Sequence, residues 1–226
     1  MNKKLIIFDC DGVLVDSEYI ASRIFSEVLT SYGYHISLEE TIKKFTGVDE
    51  NDARKLVFDH SNIEMPINYW KDQQLKLDHA YEQELTSLME PVLKTLDILK
   101  LQKCVASNSP RHHVKNCLKI SSQLKFFTEE SIFTSSQVKK PKPAPDLFLF
   151  AAKEMGFNPE DCIVIEDSPT GTKAAIDAGM DVMIFLGGRH ARFDWYKDNI
   201  ETYDKPMFSS CEELIKALTM KVHHVN

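Results

Sequence analysis

Five short apolar runs punctuate the chain, at residues 4–8 (KLIIF), 103–107 (KCVAS), 132–134 (IFT), 162–166 (CIVIE) and 181–186 (DVMIFL). Each is a continuous block, and helix-like segments separate them. Continuous apolar strands alternating with helices predict a parallel sheet covered on both faces, an α/β fold with a Rossmann-like core. Residues 18–88 have a different texture. Ile20, Ile24 and Val28 fall on one helical face, with Phe25 and Leu29 beside it. Ser37 is followed three residues later by Glu40, a capping-box signature. Further helices are expected over 51–59 and 67–89, the second entered just after Pro66. Nothing in this block reads as a strand. An all-helical cap over residues 17–89 is therefore expected to interrupt a core made of 1–16 and 90–226, with hinges near Asp16–Glu18 and Thr86–Pro91.

Composition changes this picture little. The 226 residues are 43% hydrophobic and 27% charged, which is ordinary for a packed globular protein. A net charge of −7 argues against nucleic acid or an anionic membrane as partner, because both require a basic face. An anionic small molecule stays compatible, since a metal ion can reverse the local sign. Cys10, Cys104, Cys117, Cys162 and Cys211 are scattered and form no C-x-x-C, which fits reduced thiols in a cytoplasmic protein. Asp9 cuts the first apolar run short, and no window approaches the ~20 apolar residues of a membrane span. Oligomeric state leaves no trace in the sequence.

The chemistry gathers where the apolar runs stop. Ligands of open α/β sheets bind outside the carboxyl ends of the strands. Asp9 and Asp11 follow the first run, Ser107, Asn108 and Ser109 close the second, KKPKPAPD comes shortly after the third, and Glu166 and Asp167 close the fourth. Asp9 and Asp11 are two apart and share one side of an extended segment. Crowded carboxylates call for a cation, and hard oxygen donors suit Mg²⁺. Taken alone, DCDG also reads as a tight acidic turn. A second acidic pair at another strand end favours the metal. SNSPRHHVKNCL reads as a helix start with Ser109 as cap and Pro110 first, and EDSPTG repeats the design with Ser168 and Pro169. Such helix starts also bind phosphate. Gly171 is expected to permit close packing, and Gly179 to close the helix. Of Lys139, Lys140 and Lys142, one can reach a phosphate, while the others belong to a solvated turn.

FDCDGVLVDSE, VASNS, the lysine of KPAPD and IEDSPTG together resemble, in order, the four motifs of the haloacid dehalogenase superfamily, in its helical-cap branch that includes beta-phosphoglucomutase. The resemblance implies a phosphatase of a small phosphorylated metabolite, such as a sugar or sugar-acid phosphate, using Mg²⁺ and an aspartyl-phosphate intermediate. It implies Asp9 as nucleophile and Asp11 as general acid and base. Ser107, with Asn108 beside it, would hold the phosphate. Lys142 would balance its charge, with Lys140 as the alternative register. Asp9, Asp11 (through its carbonyl) and Asp167 would bind the metal, and Glu166 would join them or stand behind them. Thr46 and Gly47 sit where the branch's cap contacts substrate.

Asp11 argues against dehalogenation, because dehalogenases lack a second acid there. A mutase reading is weakened because Glu50 stands where the mutase carries a phosphate-gripping arginine, though Arg54 lies one turn on. A receiver-like phosphorylation module also places an aspartate and Mg²⁺ at strand ends, but it has no helical insert. An inactive binding protein is disfavoured by the intact motifs.

The remaining signals are weaker. His112 and His113 are expected to face solvent, with zinc ligation as the weaker alternative, and Phe25, Tyr69, Trp70 and Tyr81 to form cap core. Arg189, His190 and Arg192 can rim the site or form a surface loop. The tail KVHHVN is expected to fray.

Overall fold

A computed structural model describes residues 3–48 and 50–222. The last four residues of the tail expected to fray lie outside them. The chain divides into two units, Met1–Asp16 with Thr86–Asn226, and Ser17–Leu85. The second division falls at Leu85/Thr86, ahead of the boundary at 89/90 read from the sequence, because the 67–89 helix ends early. Among the described residues no helix is long and apolar enough to cross a membrane.

The larger unit is built on a six-stranded parallel sheet: β1 (Leu5–Phe8), β2 (Gln102–Ser107), β3 (Ile132–Thr134), β4 (Cys162–Glu166), β5 (Asp181–Phe185) and β6 (Met207–Phe208), ordered β3-β2-β1-β4-β5-β6. β1 is buried throughout and pairs with β2 and β4, in the registers Phe8↔Val105 and Phe8↔Ile165. The strand order reverses about β1, so the crevice for a ligand opens at the carboxyl ends of β1 and β4. β6 is a two-residue strand paired Ile184↔Met207. The sequence reading missed it, because two residues carry no periodic signal.

The unit's helices are α5 (Glu90–Ile98), α6 (Arg111–Ile120), α7 (Asp146–Glu154), α8 (Pro169–Asp177), α9 (Asp194–Glu201) and α10 (Cys211–Val222). One core cluster joins strand residues Leu5, Ile7, Cys104, Val164 and Ile184 with Leu147 and Phe148 of α7 and Ala174 and Ala175 of α8. Each fully buried Leu or Ile contributes roughly 1.5–3 kcal/mol. Ser168 caps α8 as expected, its Oγ accepting from Gly171 N at 3.0 Å, with Pro169 first in the helix. α6 differs: it begins at Arg111, and its cap position, Pro110, has no side-chain bond. Ser109 is used elsewhere.

The helical unit contains α1 (Ser17–Ser31), α2 (Leu38–Phe45), α3 (Glu50–Ser61) and α4 (Tyr69–Glu84). Phe25 of α1 meets Phe45 edge-on at 5.2 Å and Tyr69 at 6.0 Å, between ring centroids. Ser37 accepts from Glu40 N at 3.2 Å, so the capping-box residues start α2. Thr46 and Gly47 form the turn after α2, where Gly47 takes φ +75°. Trp70, expected in the core, is 38% exposed. Its indole carries Lys71 Nζ 5.7 Å from the ring centroid. Arg54 donates from Nε and Nη2 to the carbonyl of Met65, at 3.1 and 3.0 Å. The side chain of Glu50 lies outside the described residues.

Candidate active site

Asp9 follows β1 directly, and its N–H donates to Ile165 O of β4 at 3.0 Å. The parallel register thereby sets Asp9 beside Glu166 and Asp167. Asp9, Glu166 and Asp167 each offer a carboxylate oxygen, and these three atoms lie within 4.8 Å of one another. The chain then folds back: Leu14 N and Val15 N both donate to Cys10 O. Gly12 makes that turn possible, at φ +78°, where any Cβ would lie 2.0 Å from Asp167 Oδ2.

Lys142 is the ammonium of this cluster. Its Nζ donates to Asp9 Oδ1 and to Glu166 Oε1, each at 2.8 Å, and it lies 4.6 Å from the centroid of Phe148. Lys139 and Lys140 are exposed, so KKPKP places only Lys142 inside. Asn108 positions it: the side-chain amide donates to Lys142 O and accepts from Lys142 N, both at 3.0 Å. Asn108 was expected beside the phosphate, and here its side chain is turned to the Lys142 main chain. Ser107 is buried at the end of β2, and its Oγ accepts from Ser109 N at 3.0 Å.

Glu166 is saturated. Oε1 accepts from Lys142, while Oε2 accepts from Asp167 N, Ser168 N and Ser168 Oγ at 2.8–2.9 Å. Gly171 leaves room for it, since a Cβ there would sit 1.7 Å from Glu166 Oε1. Burial pushes the carboxyls of Asp9 and Asp167 well above the usual carboxylate range. Lys142 opposes the rise in both, and neighbouring carboxylates add to it. Asp9 and Glu166 pull the Lys142 ammonium upward despite its own burial. One ammonium facing three buried carboxylates leaves an excess of negative charge. A hard divalent cation fits both that excess and the oxygen donors.

His113 was not read from the sequence as part of this region, whereas Ser109 was read as a polar group closing the second apolar run and as a helix cap, and His190 as able to rim the site. Ser109 Oγ donates to Asp11 Oδ2 at 2.7 Å. His113, expected to face solvent, has Nε2 3.1 Å from Asp11 Oδ1 and is 21% exposed, whereas His112 is exposed. Burial opposes its protonation, but hydrogen bonds with Asp11 and Cys117 hold the imidazole pKa up at about 11. His190 is fully buried, with Nε2 2.8 Å from Asp167 Oδ2. Asp16 fixes its loop: Oδ1 accepts from Arg189 N at 3.0 Å, and Oδ2 pairs with the Arg189 guanidinium. The i,i+4 spacing of His113 and Cys117 and the two glycines before Arg189–His190 were the only sequence signals for these contacts.

The family model described as haloacid dehalogenase-like hydrolase matches residues 6–185. The chain is 31% identical over 192 residues to the 6-phosphogluconate phosphatase of Escherichia coli, covering 82% of this chain and 83% of that protein. It is 27% identical to the fructose-1-phosphate phosphatase of the same organism, covering 79% and 94%. A solved haloacid dehalogenase-like protein from Agrobacterium tumefaciens superposes with a TM-score of 0.86 at 31% identity, covering 97% of this chain and 99% of that one.

Proposed function

The chain belongs to the haloacid dehalogenase-like hydrolase family and is a phosphatase, and on that premise we propose that it hydrolyses small sugar or sugar-acid phosphates, with Mg²⁺, through an aspartyl-phosphate on Asp9. The observation that carries the reading is the meeting of Asp9, Lys142, Glu166 and Asp167 at the ends of β1 and β4. The relatives named for 6-phosphogluconate and fructose-1-phosphate support the substrate class.

Asp9, Asp167 and the Asp11 carbonyl would hold the ion. Glu166, whose oxygens already accept four bonds, stands behind them, holding Lys142 and the Asp167 main chain. When bound, Mg²⁺ would draw charge from the phosphoryl oxygens. Lys142 adds a second positive charge, which lets the Asp9 carboxylate approach an anion. The Ser107 hydroxyl orients a phosphate oxygen. Asp9 attacks phosphorus as the ester P–O bond breaks, and Asp11 gives its proton to the departing alkoxide. Asp11 then takes a proton from water, which attacks the aspartyl-phosphate, releases inorganic phosphate and restores Asp9. Ser109 and His113 aim the Asp11 carboxyl for both transfers.

Mutase chemistry lacks a comparable support: Glu50 would repel a second phosphate, and Arg54 is already bound to Met65 O. Purified protein with Mg²⁺ is to be assayed for inorganic phosphate release from 6-phosphogluconate, fructose 1-phosphate and a panel of other sugar phosphates. Release from at least one, abolished by Asp9→Asn, is expected. No release from any, or full activity in Asp9→Asn, refutes the reading.

A further inference from the structure

We propose that Asp11, His113 and Cys117 form a second metal site, selective for a borderline-soft dication of the Zn²⁺ class, and that a metal held there withdraws Asp11 from proton transfer and inhibits hydrolysis. The inhibition rests on the role given to Asp11 above, whereas the site itself does not.

The helix supplies two donors. His113 and Cys117 are four apart on α6, so both side chains project from one face. His113 Nε2 is 3.5 Å from Cys117 Sγ and 3.1 Å from Asp11 Oδ1. A tetrahedral zinc ion, with Zn–N near ~2.0 Å and Zn–S near ~2.3 Å, sets its nitrogen and sulfur about 3.5 Å apart and its nitrogen and oxygen about 3.3 Å apart. All three donor atoms lie within 4.8 Å of one another, so ligation needs little movement.

Donor chemistry separates this site from its neighbour. Asp9, Glu166 and Asp167 offer only carboxylate oxygens, which suit Mg²⁺, while thiolate and imidazole favour zinc-like ions over it. The two clusters are linked through the Asp9–Cys10–Asp11 turn, so an ion at the second touches the machinery of the first. Access is also suitable: Cys117 is fully buried, but the side chains of His113 and Asp11 are 21% and 14% exposed, which leaves a fourth position for water.

Cobalt(II) reports the site without reference to activity. The full chain, with excess Mg²⁺ present, is titrated with Co²⁺ and its absorption recorded. A thiolate-to-cobalt charge-transfer band with tetrahedral d–d bands is expected, lost in Cys117→Ser and Cys117→Ala and kept in Cys10→Ser. His113→Gln removes the tight complex by a second route. Bands that are absent from the wild type, or unchanged in both Cys117 variants, overturn the proposal. In the assay, Zn²⁺ inhibits the wild type at saturating Mg²⁺. Cys117→Ser keeps its hydrolysis and needs more Zn²⁺, by over about tenfold, since loss even of an outer partner costs ~10–100-fold in metal affinity. Equal Zn²⁺ inhibition of both proteins overturns the regulatory half. If no substrate is turned over, the cobalt spectra still decide the site.

Discussion

His190 Nε2 lies 2.8 Å from Asp167 Oδ2, and the imidazole has no solvent exposure. Two glycines make the approach possible: a Cβ on Gly12 would fall 2.9 Å from His190 Cε1, and one on Gly188 only 2.6 Å from it. A buried partner of this kind fixes the rotamer of a metal-ligating carboxylate. His190→Phe keeps a ring against Tyr196 but removes the nitrogen that faces Asp167. The Mg²⁺ concentration for half-maximal activity should rise ~10–100-fold, and the Mg²⁺-induced shift in thermal unfolding should shrink. His190→Gln, which retains an N–H, should recover part of both. An unchanged Mg²⁺ dependence in His190→Phe would reduce His190 to packing.

Lys142 and Lys140 are two residues apart and should behave as opposites. Lys142→Met strips the ammonium from between Asp9 and Glu166, leaving buried carboxylates uncompensated. Such a break costs about 3–5 kcal/mol, to be read from the urea midpoint, and phosphate release should collapse with it. Lys140→Met, at an exposed position, should leave stability within about 0.5 kcal/mol and activity intact. The reverse pattern would mean that the other register carries the site.

Gly171 and Gly179 separate close approach from backbone strain. Gly171→Ala drives a Cβ into the Glu166 carboxylate, at 1.7 Å from Oε1. Overpacking of this kind costs about 1–3 kcal/mol, and here it should also lower activity by displacing Glu166 from Lys142. Gly179→Ala meets nothing within 4 Å but holds φ +73°. It should lose about 1 kcal/mol in denaturant unfolding and no activity.

Burial, more than any neighbour, raises the proton affinity of Asp9 and Asp167. A divalent cation offsets that cost, so Mg²⁺ should raise the melting temperature and a chelator should abolish hydrolysis. At 100 times its Kd the ion stabilises by ~2.7 kcal/mol. Asp167→Asn should erase the thermal response. A wild-type melting curve indifferent to Mg²⁺ would deny these carboxylates an ion.

The strand ends were legible because each apolar run stops where its polar residue begins, and a parallel sheet aligns those ends. β1 and β4 fall within the expected runs, and Asp9, Glu166, Asp167 and Lys142 assemble at their carboxyl ends. Ser37 and Ser168 act as caps because capping is a matter of three or four neighbouring residues. Trp70 was misplaced because α4 carries more apolar residues than its buried stripe, which contains Tyr69, Leu77, Ala80 and Tyr81, can take.

Five of the six strands, the helical insert and the carboxylates at the strand ends were readable along the chain, since periodicity, capping and apolar runs act over a few residues. Folding alone brings His113 to Asp11 across 102 positions and Arg189 to Asp16 across 173. Such contacts depend on how loops from different strand ends pack together, and spacing along the chain does not record that geometry.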